Sequence, residues 1–193
     1  MKKEIKHYDM FMVGAGIMSV TLATLLREFS PAFKIGLVER GGLTSSESSS
    51  SFNNAGTGHS GFCELNYNIE KAIQTCESFE QSKQFWAYIA KQGHLKPEFI
   101  HSVPHISFVE GKENVEALKK RFLELRKNIL FSDMEYTEWH SVLNIWAPLI
   151  MEGRDPEIPV AATRMKRGTD VDFGRLTYEL SVWARKRGAD FSI

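Results

Sequence analysis

Val13-Gly14-Ala15-Gly16-Ile17-Met18-Ser19, close to the start of the chain, leaves few architectures open. Two glycines around one small residue let a strand turn tightly into a helix and let a ligand approach the backbone there. The flanks agree. Tyr8 to Val13 is an apolar run that reads as a buried strand. Ile17 to Phe29 reads as a helix with Leu22, Leu25, Leu26 and Phe29 on one side, and Ser30-Pro31 stops it. Lys34 to Glu39 is a second apolar strand ending in an acid. The whole is a βαβ unit of ~30 residues.

That unit predicts a nucleotide site. Gly14 permits the turn, Gly16 admits a diphosphate, and the N–H groups and partial positive charge of the helix start face it. Ser19 replaces the usual third glycine, where a small side chain suffices for helix–sheet packing. Glu39 stands at the position of a ribose-binding acid. A carboxylate there repels a 2′-phosphate, although Arg40 offers such a phosphate a partner. An ordinary glycine turn with a solvated strand end is the competing reading.

Composition narrows the class. Lys plus Arg is 24 and Asp plus Glu is 24, so the formal charge is zero and a dedicated nucleic-acid surface lacks its basic excess. Thirteen Phe and four Trp supply a packed core. Cys63 and Cys76 are too few for a disulfide framework and show no metal-ligand spacing, so no metal is expected and a reducing compartment is. The N-terminal apolar stretch is broken by glycine after Val13, against a secretory signal, and no apolar run reaches the ~18–20 residues of a membrane span. A peripheral membrane contact stays open.

Thr44 to Ser51 reads as a solvated serine loop, and Phe52 to Gly61 as a glycine- and asparagine-rich stretch suited to close ligand approach. Helical spacing follows over Ile69 to Gly93, Val115 to Ile129, Glu138 to Trp146 and Phe173 to Trp183. Strands are expected at Ile106–Val109 and Ala189–Ile193, the last as an edge strand or as the sign of a chain that continues. His101 and His105 read as loop residues. Trp86, Trp139, Trp146 and Trp183 read as core, and Arg185-Lys186-Arg187 as a helix end. The expected organisation is an FAD-binding βαβ unit and flavin loop over 1–62, a largely helical substrate-side insertion over 63–165, and an incomplete return to the first domain over 166–193.

The long interruption between Arg40 and the next strand at Ala189 favours FAD over NAD. More specific is a resemblance. Gly14 to Ser19, Asn53-Asn54-Ala55-Gly56-Thr57-Gly58-His59-Ser60, Cys63-Glu64-Leu65-Asn66-Tyr67, Met151 to Pro156, Ala161 to Arg164 and Gly168 to Gly174 together resemble malate:quinone oxidoreductase. Members of that family are longer, so the likeness is to an N-terminal portion, with the C-terminal part of the fold missing. The resemblance implies a Rossmann-like FAD-binding fold of the glycine-oxidase-like flavoprotein group. It implies oxidation of (S)-malate to oxaloacetate with electrons passed to a quinone in the tricarboxylic acid cycle. The enzyme would be cytoplasmic, or peripheral on the cytoplasmic face of the inner membrane.

Carried over by position, Gly14, Ala15, Gly16, Ile17, Met18 and Ser19 would hold the FAD diphosphate region, and Glu39 with Arg40 the ribose. Asn54, Ala55, Gly56, Thr57 and Gly58 would run along the cofactor, their N–H groups offsetting charge on the reduced flavin. His59 is the candidate catalytic base. Arg154 and Arg164 are the candidate malate carboxylate ligands, because guanidinium offers a two-pronged donor. Two alternatives stand beside this reading: an NAD-dependent 2-hydroxy acid dehydrogenase, and a nucleotide-binding fragment without activity of its own.

Overall fold

The computed structural model describes residues 5–41, 47–93 and 95–192. They form two compact units. One contains the chain up to Thr57, Trp86–His101 and the chain from Val171; the other contains Gly58–Phe85 and Ser102–Asp170. The sequence reading divides the chain after 62 and 165 instead, and does not single out Trp86–His101.

The first unit is built on β1 (Met10–Val13), α1 (Ile17–Phe29) and β2 (Ile35–Val38). The chain returns to it through α6 (Phe173–Lys186) and β8 (Asp190–Ser192). The sheet is parallel in the order β1-β2-β8, with Met10 opposite Ile35 and Gly36 opposite Asp190. Among the described residues, β2 is therefore central and β1 lies at an edge. This corrects the expectation of a buried first strand: Ile35, Gly36 and Leu37 of β2 are buried, whereas of β1 only Met12 is.

α1 has the expected bounds but not the expected inner face. Val20, Ala23 and Thr24 are buried, whereas Leu22 and Phe29 are exposed. Small side chains let α1 lie close against α6, its packing partner. The Thr24 hydroxyl is satisfied by donating to the Val20 carbonyl, at 2.8 Å. α6 presents Leu176, Leu180, Trp183 and Ala184 inward and is capped by Asp172, whose carboxylate accepts from the Arg175 N–H at 2.8 Å. Its last turn carries Arg185 and Lys186, as the helix dipole favours.

The second unit pairs helices with an antiparallel sheet in the order β4-β6-β5. Its strands are β4 (His105–Glu110), β5 (Glu135–Thr137) and β6 (Val160–Met165). Neither β5 nor β6 is foreseen from the sequence. α3 (Lys112–Leu125) covers one face, with Val115 and Leu118 against Ala161. α4 (His140–Trp146) and α5 (Pro148–Met151) cover the other, with Leu143 and Met151 against Ala162. A third cluster joins Phe62, Ala72, Cys76, Leu125, Phe131, Met134 and Met165.

The connecting elements are α2 (Ile69–Lys91), β3 (Ile100–Ser102) and β7 (Thr169–Val171), the two strands forming a ribbon. Some single-residue readings change. His101 lies in β3 and His105, buried, in β4, so neither is a loop residue. Trp86 and Trp183 are core, but Trp139 is 75% exposed. Among the described residues, no helix is long and apolar enough to cross a membrane.

Candidate functional site

The turn between β1 and α1 shows why glycine is required. Gly14 has φ +95°, a conformation L side chains avoid, and a Cβ on it would meet nothing within 4 Å. The restriction is one of backbone conformation, and the space beside it is open. Gly14 N–H donates to the Val38 carbonyl at 2.8 Å, which fastens the turn to β2. α1 then begins with Gly16 as N-cap, without a side-chain cap from it and without an acid in the first turn. Nothing on the helix itself offsets its positive end.

Glu39 faces this turn from the end of β2. Its carboxylate accepts from Ala15 N–H at 2.7 Å and from Gly41 N–H at 3.0 Å. These backbone bonds, Ala15 first, hold it below the usual glutamate range. A carboxylate has about four lone-pair sites, so it can also receive ribose hydroxyls. Arg40 is exposed and lies 3.9 Å from Glu47.

Between these groups lies a cavity of about 450 Å³ lined by Val13, Gly14, Gly16, Val38, Glu39, Arg40, Glu47, Ser48 and Ser49. The serines are what the sequence reading misses. Ser49 is only 4% exposed, and its hydroxyl accepts the Ile17 N–H at 2.9 Å. The described part of the serine loop is largely exposed as expected, with Ser49 the buried exception that walls the cavity; Thr44, Ser45 and Ser46 lie outside the described residues. The usable signal was the hydroxyl-rich stretch close behind Glu39.

Asparagine amides shape that wall. Asn53 Nδ2 donates to the Glu47 carbonyl and Asn54 Nδ2 to the Ser48 carbonyl, each at 3.2 Å. Gly56 N–H is taken by Asn54 Oδ1 at 2.9 Å, and Gly58 N–H by the Thr169 carbonyl at 2.9 Å. The first bond stays within the loop, and the second ties the loop to Thr169 of β7. Ala55 and Thr57 complete the segment.

In the second unit, His59 is 66% exposed at its side chain and its Nδ1 lies 3.1 Å from Glu64 Oε1. The two expected carboxylate ligands are already engaged. Arg154 pairs with Glu110 and lies over the Phe108 ring. Arg164 Nε donates to Glu135 at 2.7 Å, and its guanidinium lies over the Trp146 ring. Arg164 stands opposite Ile106 in register, four residues along β4 from Glu110, the partner of Arg154.

Comparison with known proteins sets these features in context. The sequence model described as malate:quinone oxidoreductase matches residues 6–193. A probable malate:quinone oxidoreductase of Chromohalobacter salexigens is 50% identical over 89% of the chain and 36% of its own length. One from Wigglesworthia glossinidia brevipalpis is 48% identical over 98% of the chain and 39% of its own. The chain thus spans well under half the length of these relatives, within their N-terminal portion. Among solved structures, glycine oxidase from Geobacillus kaustophilus superimposes with TM-score 0.71 at 16% identity, over 95% of this chain and 46% of that one. L-α-glycerophosphate oxidase from Mycoplasma pneumoniae, with FAD bound, gives 0.68 at 19%, over 97% and 44%. At such identities the likeness establishes the fold, an α/β fold shared with the glycine-oxidase-like group.

Proposed function

The chain belongs to the malate:quinone oxidoreductase family, and from that membership we propose that it carries the FAD-holding share of an enzyme oxidising (S)-malate to oxaloacetate with a quinone as acceptor. The carrying observation is the 450 Å³ cavity, with the start of α1, which has no acid in its own first turn, on one side and the Glu39 carboxylate on another. A diphosphate suits the first and ribose hydroxyls suit the second.

FAD, when bound, supplies the two-electron acceptor for the hydrogen at malate C2. The chain's own residues do the rest. Gly14 and Gly16 keep side chains away from the diphosphate, and Ile17 to Ser19 present the positive helix end. Glu39 orients the sugar, and its negative charge disfavours a 2′-phosphate. His59 takes the hydroxyl proton of malate as general base. The reaction belongs to the tricarboxylic acid cycle, on the cytoplasmic side and at the membrane surface where quinones reside.

Titrating the purified chain with FAD, followed by flavin fluorescence, tests the binding half; uptake of NAD and no flavin would favour the dehydrogenase alternative and sink this reading. Malate-dependent reduction of a quinone analogue, measured on a polypeptide of the relatives' length, tests the reaction. We expect the 193-residue chain by itself to give little or no turnover, and robust turnover would overturn that expectation.

A further inference from the structure

We infer that Glu64 is a positioning residue for His59, holding the imidazole as the Nδ1–H tautomer so that Nε2 is the proton acceptor. The inference rests on the reading of His59 as base and deepens it.

The two side chains differ in exposure in a way that decides the matter. His59 is 66% exposed, but Glu64 is only 12% exposed. An exposed ion pair contributes little, because both partners are mobile and solvated. Here one partner is fixed. Glu64 Oε2 accepts from Cys63 N–H at 3.1 Å, which leaves Oε1 for His59 Nδ1 at 3.1 Å.

The surrounding backbone is fixed too. Arg121, on α3, donates from Nη2 to the Glu64 carbonyl at 3.2 Å and from Nη1 to the Tyr67 carbonyl. Ser107, on β4, donates to the Cys63 carbonyl at 3.2 Å. The acid is therefore tied to a helix and to a strand, and the ring it holds faces solvent. Partial burial lowers the Arg121 pKa while the Glu64 charge opposes that shift, so the carboxylate also has a cation close behind it.

The chemical consequence follows from the two-nitrogen nature of imidazole. A neutral ring has one donor and one acceptor, and the hydrogen bond at one nitrogen decides the other. A carboxylate accepts only, so Nδ1 must carry the proton and Nε2 the lone pair. When the hydroxyl proton of the substrate moves to Nε2, the imidazolium that forms lies beside a carboxylate that stabilises it. The Glu64 bond to Nδ1 is kept throughout, and no proton passes to Glu64. The Asn53–Tyr67 stretch thus contributes an acid–base pair five residues apart.

Histidine-labelled chain, observed by long-range proton–nitrogen correlation near pH ~8.5 where imidazoles are neutral, reads the tautomer directly. A His59→Phe variant identifies the His59 signals, and buried His105 reports that the unit remains folded. The expected result is a single His59 tautomer protonated at Nδ1, and loss of that single-tautomer signature in Glu64→Gln. His59 protonated at Nε2 in the unsubstituted chain would overturn the inference with no variant needed. So would a signature unchanged by Glu64→Gln. Absence of malate turnover in a polypeptide of family length would instead count against the proposed function, leaving the tautomer result untouched.

Discussion

Gly14 and Gly58 are both constrained, for different physical reasons. At Gly14 an added Cβ meets empty space, so Gly14→Ala costs only the positive φ, about 1–2 kcal/mol of stability in a urea melt. At Gly58 the same methyl would run into Thr169 and the Phe79 ring, so Gly58→Ala must move neighbours. Glu39 is the residue on which cofactor affinity should depend most. Glu39→Ala should weaken FAD binding about 10- to 100-fold by fluorescence titration, the loss of one or two charge-assisted hydrogen bonds. Burial pushes the thiols of Cys63 and Cys76 up to about 11, so neither should react appreciably with a thiol reagent at pH 8 until the chain unfolds. Glu39, Glu135 and Asp190 are all held below their ordinary values, by backbone N–H groups, by Arg164 and Lys166, and by Lys6 and Tyr8 respectively. Acids lowered on folding stabilise above their unfolded pKa, and that contribution disappears as pH falls through the folded one. Urea stability should therefore be flat from neutrality to about pH 5.5 and decline below about pH 4.5, less steeply in Glu135→Gln.

Elements were legible where periodicity or punctuation is local. α1 has its expected bounds because Gly16 opens it and Ser30-Pro31 closes it, and the strand pairing of β1 with β2 follows from the unit's length. Its inner face was misread because size was taken for burial: Val20 and Ala23 go inside, where only small side chains fit, and Phe29 does not. β6 escaped for the opposite reason. A central strand covered on both sides has no alternation, and Val160-Ala161-Ala162-Thr163 carries no bulky β-branched run to announce it. Glycine positions and Glu39 were readable in the site because their spacing along the chain encodes them. Ser49 was not, because its role depends on asparagine bonds that fold the loop back. The packing of β6 gives a test: Ala161→Leu forces α3 outward and should cost about 1–3 kcal/mol, with a lowered thermal midpoint.

At the scale of the whole molecule, the first unit leaves Phe11, Val13, Met18, Leu22 and Phe29 exposed on β1 and α1. A strand edge beside apolar side chains invites self-association. Sedimentation of the isolated chain should show concentration-dependent oligomers, and Val13→Lys should reduce them; a strict monomer at high concentration would contradict this. The brace that Glu39 makes to Ala15 and Gly41 has one more consequence. A loop that must stiffen on capture surrenders entropy at that moment, whereas one already clasped by its own acid does not. If the proposed cofactor enters this cavity, it should therefore do so with little rearrangement, and the amide spectrum around residues 13–17 should report new contacts more than new shape.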